Sequence, residues 1–124
     1  MSTRLDHLAL VVRDEERSRT FYERWFGFGA GPSWRADDGT LFVRDAHGFN
    51  LALSTGEPGA LPGFFHFGFS LPDPAAVRAL HDRMVAAGVT VVERDDEPDY
   101  VSFKCLDPDG YKVEASWEPP PTAG

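Results

Sequence analysis

Two histidines and one glutamate, His7, His66 and Glu114, are the side chains of this 124-residue sequence that first suggest chemistry. Two neutral imidazoles and one carboxylate suit Fe(II), Mn(II), Zn(II) or Ni(II), and they leave coordination positions for a substrate or water. An ion bound in this way polarises a substrate oxygen as a Lewis acid. Because the three residues are far apart in the chain, the fold must bring them to a common place.

The chain repeats itself, and the repeat relates the two histidines. Segment 5–31 aligns with segment 64–90 at a constant offset of 59 residues, which matches His7 with His66. Segment 40–54 aligns with segment 102–116 at an offset of 62 residues. Such a repeat indicates a duplicated unit of about 55 residues. The predicted organisation is one domain over 1–124, with module 1 at about 4–54, a linker at 55–63, module 2 at about 64–118 and a frayed tail at 119–124.

Each copy has the pattern β-α-β-β-β, which predicts an α+β fold. An apolar run opens the copy as a strand. Asp14 or Asp73 then caps a helix, and Pro74 suits the first helical position. Three strand segments follow each helix, and the last two are joined by the turn sequences DAHG and DPDG.

Strand alternation predicts which side chains share a face of the sheet, because successive residues point to opposite sides. The row of Phe65, Phe67 and Phe69 is assigned to the core, which directs His66 to the other face. The row of Tyr111, Val113, Ala115 and Trp117 is assigned to the core, which directs Glu114 to the face of His66. The duplication places His7 in the same way.

The segments LDHLALVVRD, FYERWFGF, HFGF and CLDPDGYKVEASW resemble the vicinal oxygen chelate superfamily, which includes glyoxalase I, extradiol dioxygenases, fosfomycin-resistance enzymes and bleomycin-resistance proteins. The resemblance covers nearly the whole chain. It implies tandem β-α-β-β-β modules that form a half-open cupped sheet around one divalent metal ion. By position, it implies metal ligands at His7, Ala52, His66 and Glu114. Alanine cannot bind a metal, so the set that remains is the two-histidine, one-glutamate triad of the fosfomycin-resistance type.

A substrate cavity is expected on the same face of the sheet. Its predicted lining is Ala9, Trp34, Phe42, Ala52, Ser102 and Lys104. Lys104 either receives an anionic substrate group or acts as a general acid, or its stem lines the sheet while its ammonium reaches water. Trp34 either stacks on a ligand or packs against its neighbours. Glu114 and Lys104 are the predicted catalytic residues.

Composition limits the partners of this chain. The formal net charge of −8 and the lack of a Lys/Arg cluster argue against nucleic acid and against an anionic membrane surface. No apolar run is long enough for a membrane span, and a single cysteine, Cys105, fits a reducing cytoplasm. The resemblance implies a homodimer.

Two functions remain open at this point. One is a metalloenzyme that chelates a small oxygen-bearing substrate to its ion and performs lyase, isomerase, transferase or dioxygenase chemistry. The other is a metal-free protein of the bleomycin-resistance type that sequesters a cationic antibiotic, for which the negative charge gives electrostatic attraction.

Overall fold

A computed structural model describes residues 2–121 as two compact units that divide between Ala60 and Leu61. Each unit has one helix and one four-stranded sheet. The first contains β1 (His7–Val12), α1 (Glu15–Phe26), β2 (Trp34–Arg35), β3 (Leu41–Arg44) and β4 (Asn50–Thr55). The second contains β5 (Phe67–Ser70), α2 (Pro74–Ala86), β6 (Val91–Glu97), β7 (Tyr100–Leu106) and β8 (Lys112–Trp117). The prediction of an α+β fold with tandem β-α-β-β-β modules is confirmed.

The sheet of the first unit has the strand order β1-β4-β3-β2, in which β1 and β4 are parallel and the other pairs are antiparallel. The carboxylate of Asp14 caps α1 by accepting a hydrogen bond from the backbone of Arg17 at 3.1 Å. Gly27 caps the helix after its last residue, Phe26. Its φ of 75° is a left-handed backbone conformation that is strained for residues with a side chain. Alternate strand residues and the aromatic residues of α1 and just after it form the core of this unit, namely Leu10, Val12, Phe21, Tyr22, Phe28, Leu41, Val43, Leu51 and Leu53.

The sheet of the second unit repeats this topology with the order β5-β8-β7-β6. Asp73 caps α2 through the backbone N–H of Ala76 at 2.7 Å, and Pro74 is the first helical residue. The helix packs against β7 and β8. The core of this unit comprises Val77, Leu80, Met84, Val101, Phe103, Cys105, Tyr111, Val113 and Ala115.

The two predicted turns have the same hydrogen bonds in both copies. Asp45 Oδ1 accepts from the backbone of residues 47 and 49, and Asp107 Oδ1 accepts from residues 109 and 111. Gly48 and Gly110 close these turns with φ values of 85° and 91°. The carboxylate therefore replaces part of the backbone hydrogen bonding in each reversal.

The structure limits two predictions from the sequence, the buried phenylalanine row at β5 and the frayed C-terminal tail. Phe65 is 41% exposed and precedes β5, while Phe67 and Phe69 are half-buried, so the phenylalanine row is only partly core. Trp34 is the first residue of β2. Residues 119–121 of the predicted frayed tail are exposed and outside any helix or strand, and residues 122–124 lie outside the described residues.

Neither helix within residues 2–121 is long and apolar enough to cross a membrane.

Candidate functional site

His66 and Glu114 meet at one edge of the second unit's sheet. His66 immediately precedes β5, Glu114 lies on the adjacent strand β8, and His66 Nε2 is 3.2 Å from Glu114 Oε2. The two side chains are 25% and 13% exposed, so the pair is accessible but partly desolvated. Gly68 lies opposite Glu114, and a Cβ at position 68 would come within 3.1 Å of the Glu114 Cβ. The glycine therefore leaves space for the glutamate stem.

The contact between His66 Nδ1 and a backbone carbonyl determines which ring nitrogen carries the hydrogen. It thereby determines which nitrogen faces the Glu114 carboxylate as an acceptor. Nδ1 lies 3.0 Å from the carbonyl oxygen of Phe64, which can only accept, so Nδ1 carries the hydrogen. In a neutral ring, Nε2 then presents its lone pair to Glu114 Oε2, which is also an acceptor. Two acceptors at 3.2 Å attract each other only when a proton or a cation lies between them. Two ligands of an ion at about 2.1 Å are separated by a similar distance.

Tyr100 orients the other oxygen of Glu114. Its hydroxyl donates a hydrogen bond to Glu114 Oε1, and this bond raises the pKa of Tyr100 above its usual range, while a hydrogen bond with Ser102 acts in the opposite direction. The sequence analysis did not identify Tyr100. The signal was present, because Tyr100 shares the strand face of Ser102 and Lys104. Extending the predicted strand by two residues would have included it.

Lys104 forms an ion pair on the same face. Its Nζ is 2.6 Å from Glu93 Oε2 on the neighbouring strand β6. The Glu93 carboxylate raises the pKa of Lys104, and the ammonium lowers the pKa of Glu93. Lys104 therefore keeps its charge at neutral pH. The neighbouring Ser102 is buried, with 5% of its surface exposed.

His7 lies at the start of β1 in the first unit and has a carboxylate partner of its own. Its Nδ1 is 2.7 Å from Asp6 Oδ1, and the side chain is 64% exposed. This contact lowers the pKa of Asp6. A carboxylate at Nδ1 fixes the ring and leaves Nε2 as the ligand atom, an arrangement that is common among metal-binding histidines.

A cavity of about 400 Å³ lies beside His7 within the first unit. Its lining contains four residues that were predicted for the substrate cavity, Ala9, Trp34, Phe42 and Ala52. Asp6, His7, Thr40 and Asn50 complete the lining. The indole of Trp34 stacks on the ring of Phe42 with 4.0 Å between centroids and 1° between planes. Trp34 remains 48% exposed, so it packs and also presents surface to the cavity.

The predicted site residues thus form two groups. The second unit brings His66 and Glu114 together, with Ser102 and Lys104 on the neighbouring strand. The first unit brings His7 and the four apolar cavity residues together. Within residues 2–121, no group of three or more His, Cys, Asp or Glu side chains is close enough to hold a metal ion.

The chain is a small α+β protein with paired β-α-β-β-β units and a histidine at or just before the first strand of each unit, and comparison with known proteins identifies its family. The model of the Glyoxalase/Bleomycin resistance protein/Dioxygenase superfamily matches residues 4–115. The chain belongs to this superfamily.

Relatives of the chain have been recognised in several bacteria. The uncharacterized protein PA2024 of Pseudomonas aeruginosa is 35% identical, over 97% of this chain and 92% of that protein. The structure of a possible glyoxalase from Bacillus cereus is 26% identical with a TM-score of 0.76, and the match covers 92% of this chain and 98% of that chain. A mutant of the fosfomycin resistance protein FosX from Listeria monocytogenes, in complex with Mn(II) and 1S,2S-dihydroxypropylphosphonic acid, has the same fold. It is 20% identical with a TM-score of 0.75, over 93% of this chain and 90% of that chain.

Proposed function

We propose that this protein is a divalent-metal-dependent enzyme that acts on a small oxygen-bearing substrate. The contact between His66 Nε2 and Glu114 Oε2 carries the proposal, because it sets two acceptors 3.2 Å apart in a partly desolvated place. A divalent ion held by His66 and Glu114 would relieve the repulsion that these two acceptors have when His66 is neutral. Imidazole nitrogen and carboxylate oxygen are ligands that Fe(II), Mn(II), Zn(II) and Ni(II) accept.

Each proposed ligand has a second partner that holds it in place. The carbonyl of Phe64 holds His66, and the hydroxyl of Tyr100 holds Glu114. His7, which Asp6 orients, is the third ligand that the sequence predicts. Partners of this kind fix the orientation of ligands and typically change metal affinity by about 10- to 100-fold.

The ion would supply Lewis-acid polarisation of a substrate oxygen. The remaining chemistry falls to side chains on the same sheet face. Lys104 keeps its proton next to Glu93, so it is better suited to attract an anionic substrate group than to act as a general acid at neutral pH. Ser102 supplies a hydroxyl beside Tyr100.

Metal analysis of protein purified without an affinity tag tests the proposal. We expect near-stoichiometric metal in the wild type and a loss of most of it in the double variant His7→Ala, His66→Ala. His47→Ala is the matched control, because His47 is exposed in the turn between β3 and β4. Mn(II) is the first ion to supply, since it is the ion named for the FosX complex of the same fold. Equal, near-zero metal in the wild type and the double variant would refute the metal site and favour sequestration of an antibiotic instead.

The expected assembly is a homodimer. Light scattering at micromolar concentration tests it, and a monomer there would contradict it.

A further inference from the structure

At equivalent strand positions, the sheets of the two units carry cross-strand rows of side chains that differ in polarity. In the first unit, cross-strand pairing joins the row Trp34, Phe42, Ala52 and Ala9. In the second unit, the same pairing joins the row Glu93, Lys104, Glu114 and Gly68. The two rows correspond one to one at the offsets of 59 and 62 residues that define the repeat. One row is entirely apolar and the other carries three charges.

The apolar row forms much of the cavity of the first unit. The two alanines are the smallest members of the row, and Phe42 and Trp34 extend it as a parallel stack. A volume of about 400 Å³ lies within the usual range for small-molecule sites. None of the eight lining residues, all of which lie in the described part of the chain, is a lysine or arginine. The lining therefore offers an anionic group no lysine or arginine side chain.

Covering the exposed part of the Trp34 indole with an apolar partner would be favourable, because it removes apolar surface from water. Phe42 covers one face of the Trp34 ring, and yet 48% of Trp34 remains exposed. A third flat ring could stack on the Trp34–Phe42 pair without moving either ring, since each π face can accept a flat partner. Methyl groups at positions 9 and 52 add apolar contact without filling the space beyond the stack.

We propose that this cavity binds an uncharged planar group, aromatic or conjugated, of the substrate. This proposal rests on the proposed function, because it assigns the substrate class of the same enzyme. Trp34 lies on β2 and His7 on β1, which are separated by three strand spacings of about 4.8 Å, so their backbones are about 14 Å apart across the sheet. The substrate would place its planar group at Trp34 and its oxygen atoms towards His7.

A titration with simple probes tests the assignment in the presence of EDTA. The probes are 2-naphthylmethanol, which is flat and uncharged, and its saturated decahydro counterpart, which has a similar size but no π face. The chain has three tryptophans, so the ¹H–¹⁵N spectrum has three indole resonances. We expect naphthylmethanol to shift the Trp34 indole resonance upfield and to leave those of Trp25 and Trp117 unchanged. The decahydro compound should bind about five- to ten-fold more weakly.

Two variants complete the test. Trp34→Leu should weaken naphthylmethanol binding by about five- to ten-fold, and Trp25→Leu should not. Equal binding of the two probes, or a shift at Trp25 rather than Trp34, would overturn the proposal without any variant. Because the titration contains EDTA, its failure leaves the metal proposal standing. Conversely, naphthylmethanol binding by a protein that takes up no metal would refute only the proposed function.

Discussion

Glu114→Gln replaces one carboxylate oxygen by an NH₂ group and leaves the side-chain shape almost unchanged. In the metal-free protein, the amide can satisfy both partners of the carboxylate. Its NH₂ donates to the lone pair of His66 Nε2, and its oxygen still accepts from Tyr100. When His66 is neutral, the variant converts a contact between two acceptors into a hydrogen bond.

The expected gain in the stability of the metal-free protein follows from that contact. A partly buried polar group that lacks a donor costs about 1–3 kcal/mol, and Glu114 is 13% exposed, so a gain of about 1 kcal/mol is reasonable. For a chain of 124 residues, the usual unfolding entropy per residue converts this gain into a Tm increase of about 4 °C.

The metal-bound protein should respond in the opposite direction. A ligand at 100 times its Kd stabilises the wild type by about 2.7 kcal/mol, or about 10 °C in Tm. Glu114 is the proposed anionic ligand, so its loss should weaken metal binding by about 100-fold or more. At the same metal concentration, the variant then gains only about 0.4 kcal/mol, which is less than 2 °C.

Thermal melts at fixed protein concentration, with EDTA and with excess Mn(II), provide the assay. Glu118→Gln is the control, because it makes the same chemical change at an exposed position outside β8. The variant at position 114 should melt above the wild type in EDTA and below it in Mn(II). If the wild type shows no chelator-sensitive shift with Mn, Fe, Ni or Zn, the metal site is refuted. If Glu114→Gln lowers Tm in EDTA, the description of the His66 contact is wrong.

Three further outcomes are expected from other contacts. Tyr100→Phe removes the donor to Glu114, so it should weaken metal binding about 10- to 100-fold in a calorimetric titration. Burial raises the pKa of the Cys105 thiol to about 12, so a disulfide reagent at pH 8 should label it only as the protein unfolds. Arg78 lowers the pKa of Asp96, so Arg78→Gln should raise that pKa in an NMR titration. Above pH 3.8, the ordinary Asp value, the variant should be less stable than the wild type by the full contribution of this pair. The difference should disappear as pH falls through the lower pKa that Asp96 has in the folded wild type.

Much of the fold could be predicted because the repeat and strand alternation are both properties of the backbone. Caps at Asp14 and Asp73 mark where each helix begins, and the structure has both. Alternation in β8 assigned Tyr111, Val113, Ala115 and Trp117 to the core. The first three are 4%, 0% and 0% exposed, whereas Trp117, at the end of the strand, is only half-buried. The physical constraint is strong here, since a shift of one residue would bury the charged row.

The partners of the candidate site could not be predicted in the same way. β6 is an edge strand with the sequence VVERDDE, and its charged residues give little periodic signal. The strand register that sets Glu93 beside Lys104 includes an irregularity between Val91 and Glu93. A register of this kind depends on tertiary pairing, so the ion pair between Glu93 and Lys104 required the structure.

The duplication also explains why the sequence was more informative about the fold than about the chemistry. Core rows in the two copies must stay apolar, because each sheet buries one face. The opposite face has no such requirement, so the position that holds Glu114 in one copy holds Ala52 in the other, and Lys104 corresponds to Phe42. Sequence similarity between the copies therefore predicts shared strands but not shared ligands. The divergence itself is informative, because it gives the first unit an aromatic row and the second unit a charged row on equivalent strands, each available for a different kind of contact within its own unit.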